Sequence, residues 1–193
     1  MKKQGFTIIE VSILFVIFLI VAFLVAPLSL DDTRLAKNIS RWKSVQGDFT
    51  NIFYTVNTDR NQNKTNFNQT FQKVLENDIK NDVNPYRINF MNGTYPNDTY
   101  RFKDFKNTYS NATLSVKLFE SAQDELRGVL MYDVNGKNGP NIWGKDVFGM
   151  NIYEDRFEPF CKSDSMSRQK QDCSKNGTGL CCSSYYLMGG NFD

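Results

Sequence analysis

Residues 6–30 read FTIIEVSILFVIFLIVAFLVAPLSL, and this stretch decides the fold. It carries one charged residue, Glu10, and residues 11–30 carry none. About 20 apolar residues in a helix are long enough to cross the apolar core of a bilayer. Lys2 and Lys3 precede the stretch, so the positive-inside rule predicts a cytoplasmic N-terminus. The sequence therefore predicts one transmembrane helix, with most of the chain outside the membrane.

Two simpler interpretations of this stretch remain open, a cleaved secretory signal and a plain membrane anchor. A secretory signal has an apolar core of roughly 7–15 residues and a cleavage site between small residues, and this run is longer. Glu10 helps to distinguish the interpretations. A carboxylate inside an apolar span costs roughly 2.5–3.5 kcal/mol on insertion scales, so it usually has a partner and a purpose.

Residues 2–11, KKQGFTIIEV, resemble the class III signal of type IV pilins and type II secretion pseudopilins. The resemblance implies that a prepilin peptidase cuts after Gly5 and N-methylates Phe6. Glu10 then becomes the fifth residue of the mature chain, where the family places its glutamate. Pro27 stands where many pilins carry a helix-kinking proline. The resemblance is strong over residues 2–30 and extends to the rest of the chain only as a layout.

The resemblance also implies a function and a set of partners. It implies a bacterial inner-membrane, single-pass subunit that is not an enzyme and that assembles into a periplasmic or cell-surface filament. The implied partners are the prepilin peptidase, other pilin or pseudopilin subunits, an assembly platform with its ATPase, and the lipid bilayer. In the filament, Glu10 would pair with the Phe6 amine of a neighbour. A minor tip subunit that binds a surface or a cargo is one alternative, and a membrane-anchored domain with no filament role is another.

After the apolar run, apolar residues recur at steps of three and four. This spacing places one apolar stripe on a helix. We therefore expect a nearly continuous helix over residues 6–57, kinked at Pro27. The expected organisation is a leader (1–5), a transmembrane and assembly helix (6–30), its amphipathic continuation (31–57) and a globular domain (58–193). The stripe consists of Leu35, Ile39, Trp42, Val45, Phe49, Ile52 or Phe53, and Val56.

The remainder of the chain predicts a short helix and several strands. Helical spacing indicates a second helix over residues 65–81, and β-type patterns indicate strands over residues 86–91, 112–119, 128–132 and 147–153. Asn92 and Gly93 indicate a turn. The expected fold class is α+β and pilin-like, with the long N-terminal helix packed on a small antiparallel sheet and a disulfide-closed C-terminal region.

Composition excludes several classes of function. The net charge is +2, from 23 basic and 21 acidic residues, so we expect no nucleic-acid partner. The sequence contains no histidine, which excludes a Ser-His-Asp triad and any zinc site that uses histidine. Glu154 and Asp155 could in principle form the carboxylate pair of a glycosidase, but no pattern in the sequence indicates a cleft.

The four cysteines, Cys161, Cys173, Cys181 and Cys182, all lie near the C-terminus. Their spacing contains no Cys-x2-4-Cys pair of the kind that structural zinc sites prefer. An even number of cysteines in an exported domain predicts two disulfides. The adjacent Cys181 and Cys182 are difficult to join to each other, so each is expected to pair with Cys161 or Cys173, in either combination.

Residues 133–146, DVNGKNGPNIWGKD, form the most distinctive segment outside the N-terminus. Oxygen ligands on a glycine-bent loop are typical of a calcium site, although the terminal glutamate of an EF-hand is missing. A metal-free loop ordered by Asx-turns is the alternative. The aromatic residues that follow could form a binding surface, but the core is their more usual place. The candidate ligands are Asp133, Asn135, Asn138, Asn141 and Asp146, and the aromatic residues are Trp143, Phe148, Tyr153, Phe157 and Phe160.

Overall fold

The computed structural model describes residues 8–63, 66–123 and 125–191. Within them, the chain forms four α-helices, one 3-10 turn and six strands. The helices are α1 (Ile8–Asn63), α2 (Phe67–Glu76), α3 (Met166–Asp172) and α4 (Cys182–Leu187). The strands are β1 (Ile79–Val83), β2 (Phe105–Thr108), β3 (Thr113–Gln123), β4 (Leu126–Asp133), β5 (Val147–Tyr153) and β6 (Phe157–Pro159), and the 3-10 turn covers Asp98–Tyr100.

The chain divides into two compact units, Met1–Lys37 and Asn38–Asp193. In the first unit, α1 is the only element that the structure describes. The second unit contains the sheet, the shorter helices and both disulfides, and we call it the sheet domain. Helix α1 begins at Ile8 and ends at Asn63, which extends beyond the predicted end at residue 57.

The expected membrane span is not found. Among the described residues, no helix combines the length and the apolar character needed to cross a bilayer. The predicted inner-membrane, single-pass topology with a cytoplasmic N-terminus is therefore wrong, and so is the transmembrane half of the predicted helix. A span needs about 20 consecutive apolar residues. In the apolar run, the structure describes the side chains of positions 8–21, which are fewer than 20 and include the charged Glu10. The next described side chain is that of Asp32, which is also charged.

The six strands form one antiparallel sheet in the order β1-β2-β3-β4-β5-β6. Each strand pairs with the one that precedes it, so the sheet is a meander built from local connections. The longest pairings join β3 to β4 and β4 to β5, where Leu130 lies opposite Val116 and Met150. The prediction of an α+β fold with a long helix and an antiparallel sheet is confirmed.

The sheet separates two hydrophobic clusters, because successive side chains of a strand point to opposite faces. Leu130 and Tyr132 of β4 belong to the first cluster, together with residues of α1, α2 and α4. Val129 and Met131 of the same strand belong to the second cluster, which also contains Trp143. We call the two sides of the sheet the first face and the second face.

Within the sheet domain, the predicted apolar stripe of α1 packs on the first face. Trp42 and Val56 are fully buried, and Val45 and Phe49 are nearly so. Trp42 stacks on Phe148 of β5 with the ring centres 5.0 Å apart. Its indole Nε1 donates a hydrogen bond of 2.9 Å to the carbonyl oxygen of Ser183 in α4. The 3.6-residue period of the stripe therefore matches the packing in the sheet domain.

The predicted second helix is present but shorter than expected, and one predicted strand does not form. The helix expected over residues 65–81 ends at Glu76, and Ile79 lies in β1 opposite Thr108 of β2. Pairing with β2 overrides the helical pattern at this point. Residues 86–91 contain only an isolated bridge between Asn89 and Ile142. The expected strand does not form because the backbone N–H of Met91 donates instead to the carbonyl oxygen of Thr178.

Candidate functional site

The described side chains at positions 8–21 of α1 form an exposed apolar surface. The large apolar side chains in this stretch are 40–86% exposed. They occur all round the helix and not on one face, because nearly every position in the stretch is apolar. A helix that is apolar all round normally lies inside a protein assembly or another apolar environment. Contiguous exposed apolar surface of this kind marks an interaction site.

Glu10 is the one charged side chain in this exposed stretch. It lies near the beginning of the described part of α1. It is exposed, as are its apolar neighbours. Ser12 is satisfied locally, since its hydroxyl donates to the carbonyl oxygen of Ile8 at 2.9 Å. Glu10 therefore supplies the one charge on a surface that is apolar apart from Glu10 and Ser12.

Three residues of the predicted processing and assembly site are not tested by these contacts. Gly5 and Phe6 lie outside the described residues. Pro27 lies within the bounds of α1, and the kink expected there stays a prediction.

The loop between β4 and β5, residues 133–146, is closed by hydrogen bonds to its two aspartates. Asp146 accepts hydrogen bonds from the backbone N–H groups of Asn141 and Ile142, each at 2.8 Å. Asp133 accepts one from the N–H of Asn135 at 3.2 Å. Asn141 adopts a positive φ of 54°, a conformation that asparagine tolerates better than most residues. The loop thus has the local Asx-type order that the metal-free interpretation predicted.

Both carboxyl groups of the loop are fully buried, which makes their ionised forms costly. Burial, with the nearby charge of Asp146, raises the pKa of Asp133 to about 8. Burial also raises the pKa of Asp146. The hydroxyl of Tyr86 donates to Asp133 Oδ2 at 2.6 Å, and burial beside that carboxylate raises the pKa of the tyrosine. The two acidic groups therefore share one buried site. Among the described residues, no lysine or arginine forms a hydrogen bond or an ion pair with either of them.

Two amide oxygens in the same loop lack a donor. Oδ1 of Asn135 and Oδ1 of Asn141 are buried and have no hydrogen-bond partner. Buried polar atoms are nearly always satisfied, so each exception needs an explanation such as an ion or a water molecule. The backbone carbonyl oxygen of Asn138 accepts a hydrogen bond of 2.6 Å from Asn135 Nδ2, and Asn138 itself is exposed. Asp133, Asp146, Asn135 and Asn141 are therefore the residues that could hold a hard cation, and Asn138 is the weakest candidate.

The sequence did not indicate what surrounds this loop. Asn38 of α1 donates to the carbonyl oxygen of Lys145 at 3.2 Å, and Arg41 donates to that of Val134 at the same distance. These donors and Tyr86 come from distant parts of the chain, and no spacing rule connects them with the loop. The loop therefore supports the part of α1 that belongs to the sheet domain.

The C-terminal region is closed by two disulfides, Cys161–Cys181 and Cys173–Cys182. The predicted number of disulfides is confirmed, and so is the expectation that Cys181 and Cys182 pair with different partners. Asp172 organises the intervening turn, because its carboxylate accepts hydrogen bonds from the N–H groups of Thr178 and Cys181. Asp164 lies beside the first disulfide, but sulfurs joined in a disulfide are not thiolate ligands for a metal.

The remaining candidate residues have structural contacts. Trp143, Phe148 and Phe160 are buried, which confirms core packing for these members of the aromatic group. Tyr153 and Phe157 are half-buried. Glu154 pairs with Arg60 and Arg127, and Asp155 pairs with Arg156. Those two adjacent carboxylates are thus each engaged by arginine.

Comparison of this chain with protein-family models, with curated proteins and with solved structures found no match.

Proposed function

We propose that this protein is a structural filament subunit, a pilin or pseudopilin. In this proposal, a prepilin peptidase cuts after Gly5, and an assembly platform with its ATPase then adds the subunit to a type IV pilus-like or type II secretion-like filament. The observation that supports it best is the exposed apolar surface at positions 8–21 of α1. The leader-like sequence that precedes this surface supplies the second argument.

The energetic reason is the amount of apolar surface that the subunit leaves uncovered. Burying one large aliphatic or aromatic side chain is worth about 1.5–3 kcal/mol, and a dozen such residues occur in the stretch. Helices of neighbouring subunits would remove this surface from water when they pack together. The subunit would therefore be stable as a folded domain and would gain most from self-association through its N-terminal helix.

Glu10 gives this association a register. Cleavage after Gly5 would create a new amine on Phe6, and the Glu10 carboxylate of one subunit would pair with the amine of the next. An unpaired charge within an apolar helix bundle is strongly unfavourable, whereas a paired one is tolerated. Only one axial offset between neighbours brings the two groups together. The proposed role of Glu10 is therefore to position neighbouring subunits, not to catalyse a reaction.

The layout of the sheet domain agrees with this proposal. The second part of α1 packs by one apolar stripe on an antiparallel sheet, and the disulfides close the C-terminal region. That layout is the one that the resemblance to pilins implies. The pilin fold is proposed on this layout and on the N-terminal sequence together.

The test has two parts, performed on the full chain in cells that assemble it. Mass spectrometry of the N-terminus should find a peptide that begins with N-methyl-Phe6, both in cells and in sheared filaments. The variant Glu10→Ala should be produced and cleaved normally but excluded from filaments beside the wild-type subunit. Ser12→Ala is the matched control, because it changes a neighbouring polar residue that bonds only within its own helix. An intact Met1, or normal incorporation of Glu10→Ala, would contradict the proposal.

The same samples, whole cells and sheared filaments, distinguish a major subunit from a minor tip subunit, which is the alternative function. A major subunit is expected to dominate the sheared material. A tip subunit is expected to be scarce there while it still begins at N-methyl-Phe6.

We also propose that the loop at residues 133–146 binds a calcium ion. Two observations support it: the two buried carboxyl groups, which no described lysine or arginine neutralises, and the two buried amide oxygens, which accept no hydrogen bond from the described residues. A calcium ion takes six to eight oxygen ligands, and its charge would favour the ionised carboxylates. Asn38 and Arg41 of α1 donate hydrogen bonds to this loop, so the ion would also stabilise the contact between the loop and α1.

Thermal unfolding with and without calcium tests this second proposal. Calcium at about 100 times its dissociation constant should stabilise the protein by about 2.7 kcal/mol and raise the Tm accordingly. Asn141→Ala should reduce the shift, whereas Asn138→Ala should leave most of it, because Asn138 is exposed. A Tm that does not change with calcium would show that the loop is ordered without metal.

A further inference from the structure

Two arginines converge on one tyrosine at the second face of the sheet domain. The Cζ atoms of Arg87 and Arg101 lie 4.4 and 5.2 Å from the centre of the Tyr95 ring. The two arginines line a cleft of about 290 Å³, whose other lining residues within the described part of the chain are prolines, aromatic residues and Ile88, with no carboxylate among them. Asp98 approaches Arg101 at 3.7 Å, but its side chain is 97% exposed, so this pair contributes little. We call this feature the basic cleft.

Two aspartates converge on a larger groove. Asp48 of α1 and Asp78, which follows α2, line a groove of about 520 Å³, and no lysine or arginine of the described residues lines it. Partial desolvation of the exposed Asp78 and the charge of Asp48 raise the pKa of Asp78, so the two carboxylates interact unfavourably with each other. Apolar side chains of α1 and α2 also line it, as do polar residues that include Thr55, Asn77 and Ser110. We call this feature the acidic groove.

The two features belong to opposite faces of the sheet. The acidic groove is lined by Phe49, Leu114 and Tyr132, which are members of the first hydrophobic cluster. The basic cleft is lined by Phe102 and Phe105, which are members of the second. Complementary surfaces at different places on one molecule allow a head-to-tail contact, and such a contact repeats without closing when it generates a helical filament.

We propose that the basic cleft of one copy docks on the acidic groove of the next copy. This inference rests on the proposed filament function and names the surfaces by which neighbouring sheet domains meet. Each surface holds two like charges together in the isolated subunit. Contact between copies would replace two repulsive pairs by attractive ones. Tyr95, which is 45% exposed, provides an aromatic side chain that the apolar walls of the groove can accept.

Charge reversal with mutual rescue tests this contact on the full chain. The first variant carries Arg87→Glu and Arg101→Glu, and the second carries Asp48→Lys and Asp78→Lys. Like charges facing each other across an interface cost several kcal/mol, so each variant alone should lose about tenfold or more of its filament yield. Co-expression should restore the yield. The reversed cleft of the first variant then meets the reversed groove of the second, and the unchanged surfaces meet each other.

A matched control carries Lys162→Glu and Lys175→Glu, which changes the net charge as much as the first variant does. Both lysines are exposed and line neither feature. This control should assemble as the wild type does. Thermal unfolding of every variant checks the fold, and the milder single changes Arg101→Glu and Asp48→Lys replace any double variant that is unstable.

The outcomes separate this inference from the function on which it rests. If the wild type is not processed and forms no filament, the proposed function fails. If filaments form and both double variants assemble normally, the docking inference is overturned while the filament proposal stands. If each variant fails alone and co-expression does not restore assembly, the charges matter but the pairing of these two surfaces is overturned.

Discussion

Helix α1 contains apolar residues in two arrangements, and the two arrangements have different surroundings. At the described positions 8–21, apolar residues occupy nearly every position and are exposed. In the part of α1 that belongs to the sheet domain, they occupy one stripe, and Trp42, Val45, Phe49 and Val56 are buried. An amphipathic stripe finds its partner within the same chain. A helix that is apolar on all sides cannot be covered by one neighbouring face, so it needs several partners at once.

In our proposal, the two parts of α1 therefore contribute to different properties, one to the stability of the sheet domain and the other to assembly of the subunits. The stripe contributes to the free energy of unfolding of the sheet domain, because its side chains pack against the sheet. The exposed stretch contributes to association between copies in our proposal. Substitutions in the two parts of α1 should therefore change different measured quantities.

The largest expected effect is that of Trp42→Ala. The side chain is fully buried, stacks on Phe148 and bonds to Ser183, so its removal leaves a cavity and an unpaired carbonyl group. We expect a loss of about 3–5 kcal/mol in the free energy of unfolding, measured by denaturant titration of the full chain. The control is Ile17→Ala in the exposed stretch, which should leave the unfolding free energy almost unchanged and reduce filament yield. Equal destabilisation by both variants would contradict the comparison.

Removal of the Cys161–Cys181 disulfide should have the second largest effect. The bond joins residues 20 positions apart, and a cross-link of that span stabilises by about 3 kcal/mol through its restriction of the unfolded chain. The double variant Cys161→Ser and Cys181→Ser should lose about that amount in denaturant titration. It should also weaken the support of α1, because Ser183, the acceptor for Trp42, follows the disulfide region directly. If the variant unfolds at the same denaturant concentration as the wild type, the disulfide does not limit stability.

The smallest expected effect is that of Glu154→Gln. Glu154 pairs with Arg60 near the end of α1 and with Arg127 of β4, which together lower its pKa. The substitution should cost about 1 kcal/mol at neutral pH, since a partly exposed network is worth little more than that.

The pH dependence of this difference provides a check. A carboxyl group with a lowered pKa in the folded state stabilises above its ordinary pKa, and the contribution is lost as the pH falls through the folded value. The free energies of unfolding of the wild type and of Glu154→Gln should therefore become equal as the pH falls into the acidic range. A difference that stays constant down to the acidic limit would show that packing, not charge, is responsible.

The sequence predicted the parts of this fold that depend on short-range periodicity. The stripe from Trp42 to Val56, the alternation in β3 and the core strands β4 and β5 all follow from spacing alone. Four of the five predicted ligand residues, Asp133, Asn135, Asn141 and Asp146, lie close together, because hydrogen bonds to the two aspartates close the connection between β4 and β5. Strands β2 and β6 and helices α3 and α4 were not predicted, since each is too short to show a period.

The expectations that failed concern contacts between distant segments. The pattern at residues 86–91 is compatible with a strand, but its backbone groups find partners in loops near Ile142 and Thr178. The expected single pass through a membrane also fails against the described helices. The donors that Tyr86, Asn38 and Arg41 supply to the loop region come from 47 to 107 positions away, and no local pattern encodes them.

The sequence by itself determined that α1 is helical, which of its residues form one face, that the chain contains an antiparallel sheet and that four cysteines form two disulfides. These properties follow from the spacing and number of residues. Only the tertiary structure decided that Cys161 pairs with Cys181 and Cys173 with Cys182, and that two carboxyl groups share one buried loop. It also decided that the basic cleft and the acidic groove occupy opposite faces. These outcomes depend on which distant segments come into contact when the core forms. The local periodicity of the sequence does not determine those contacts.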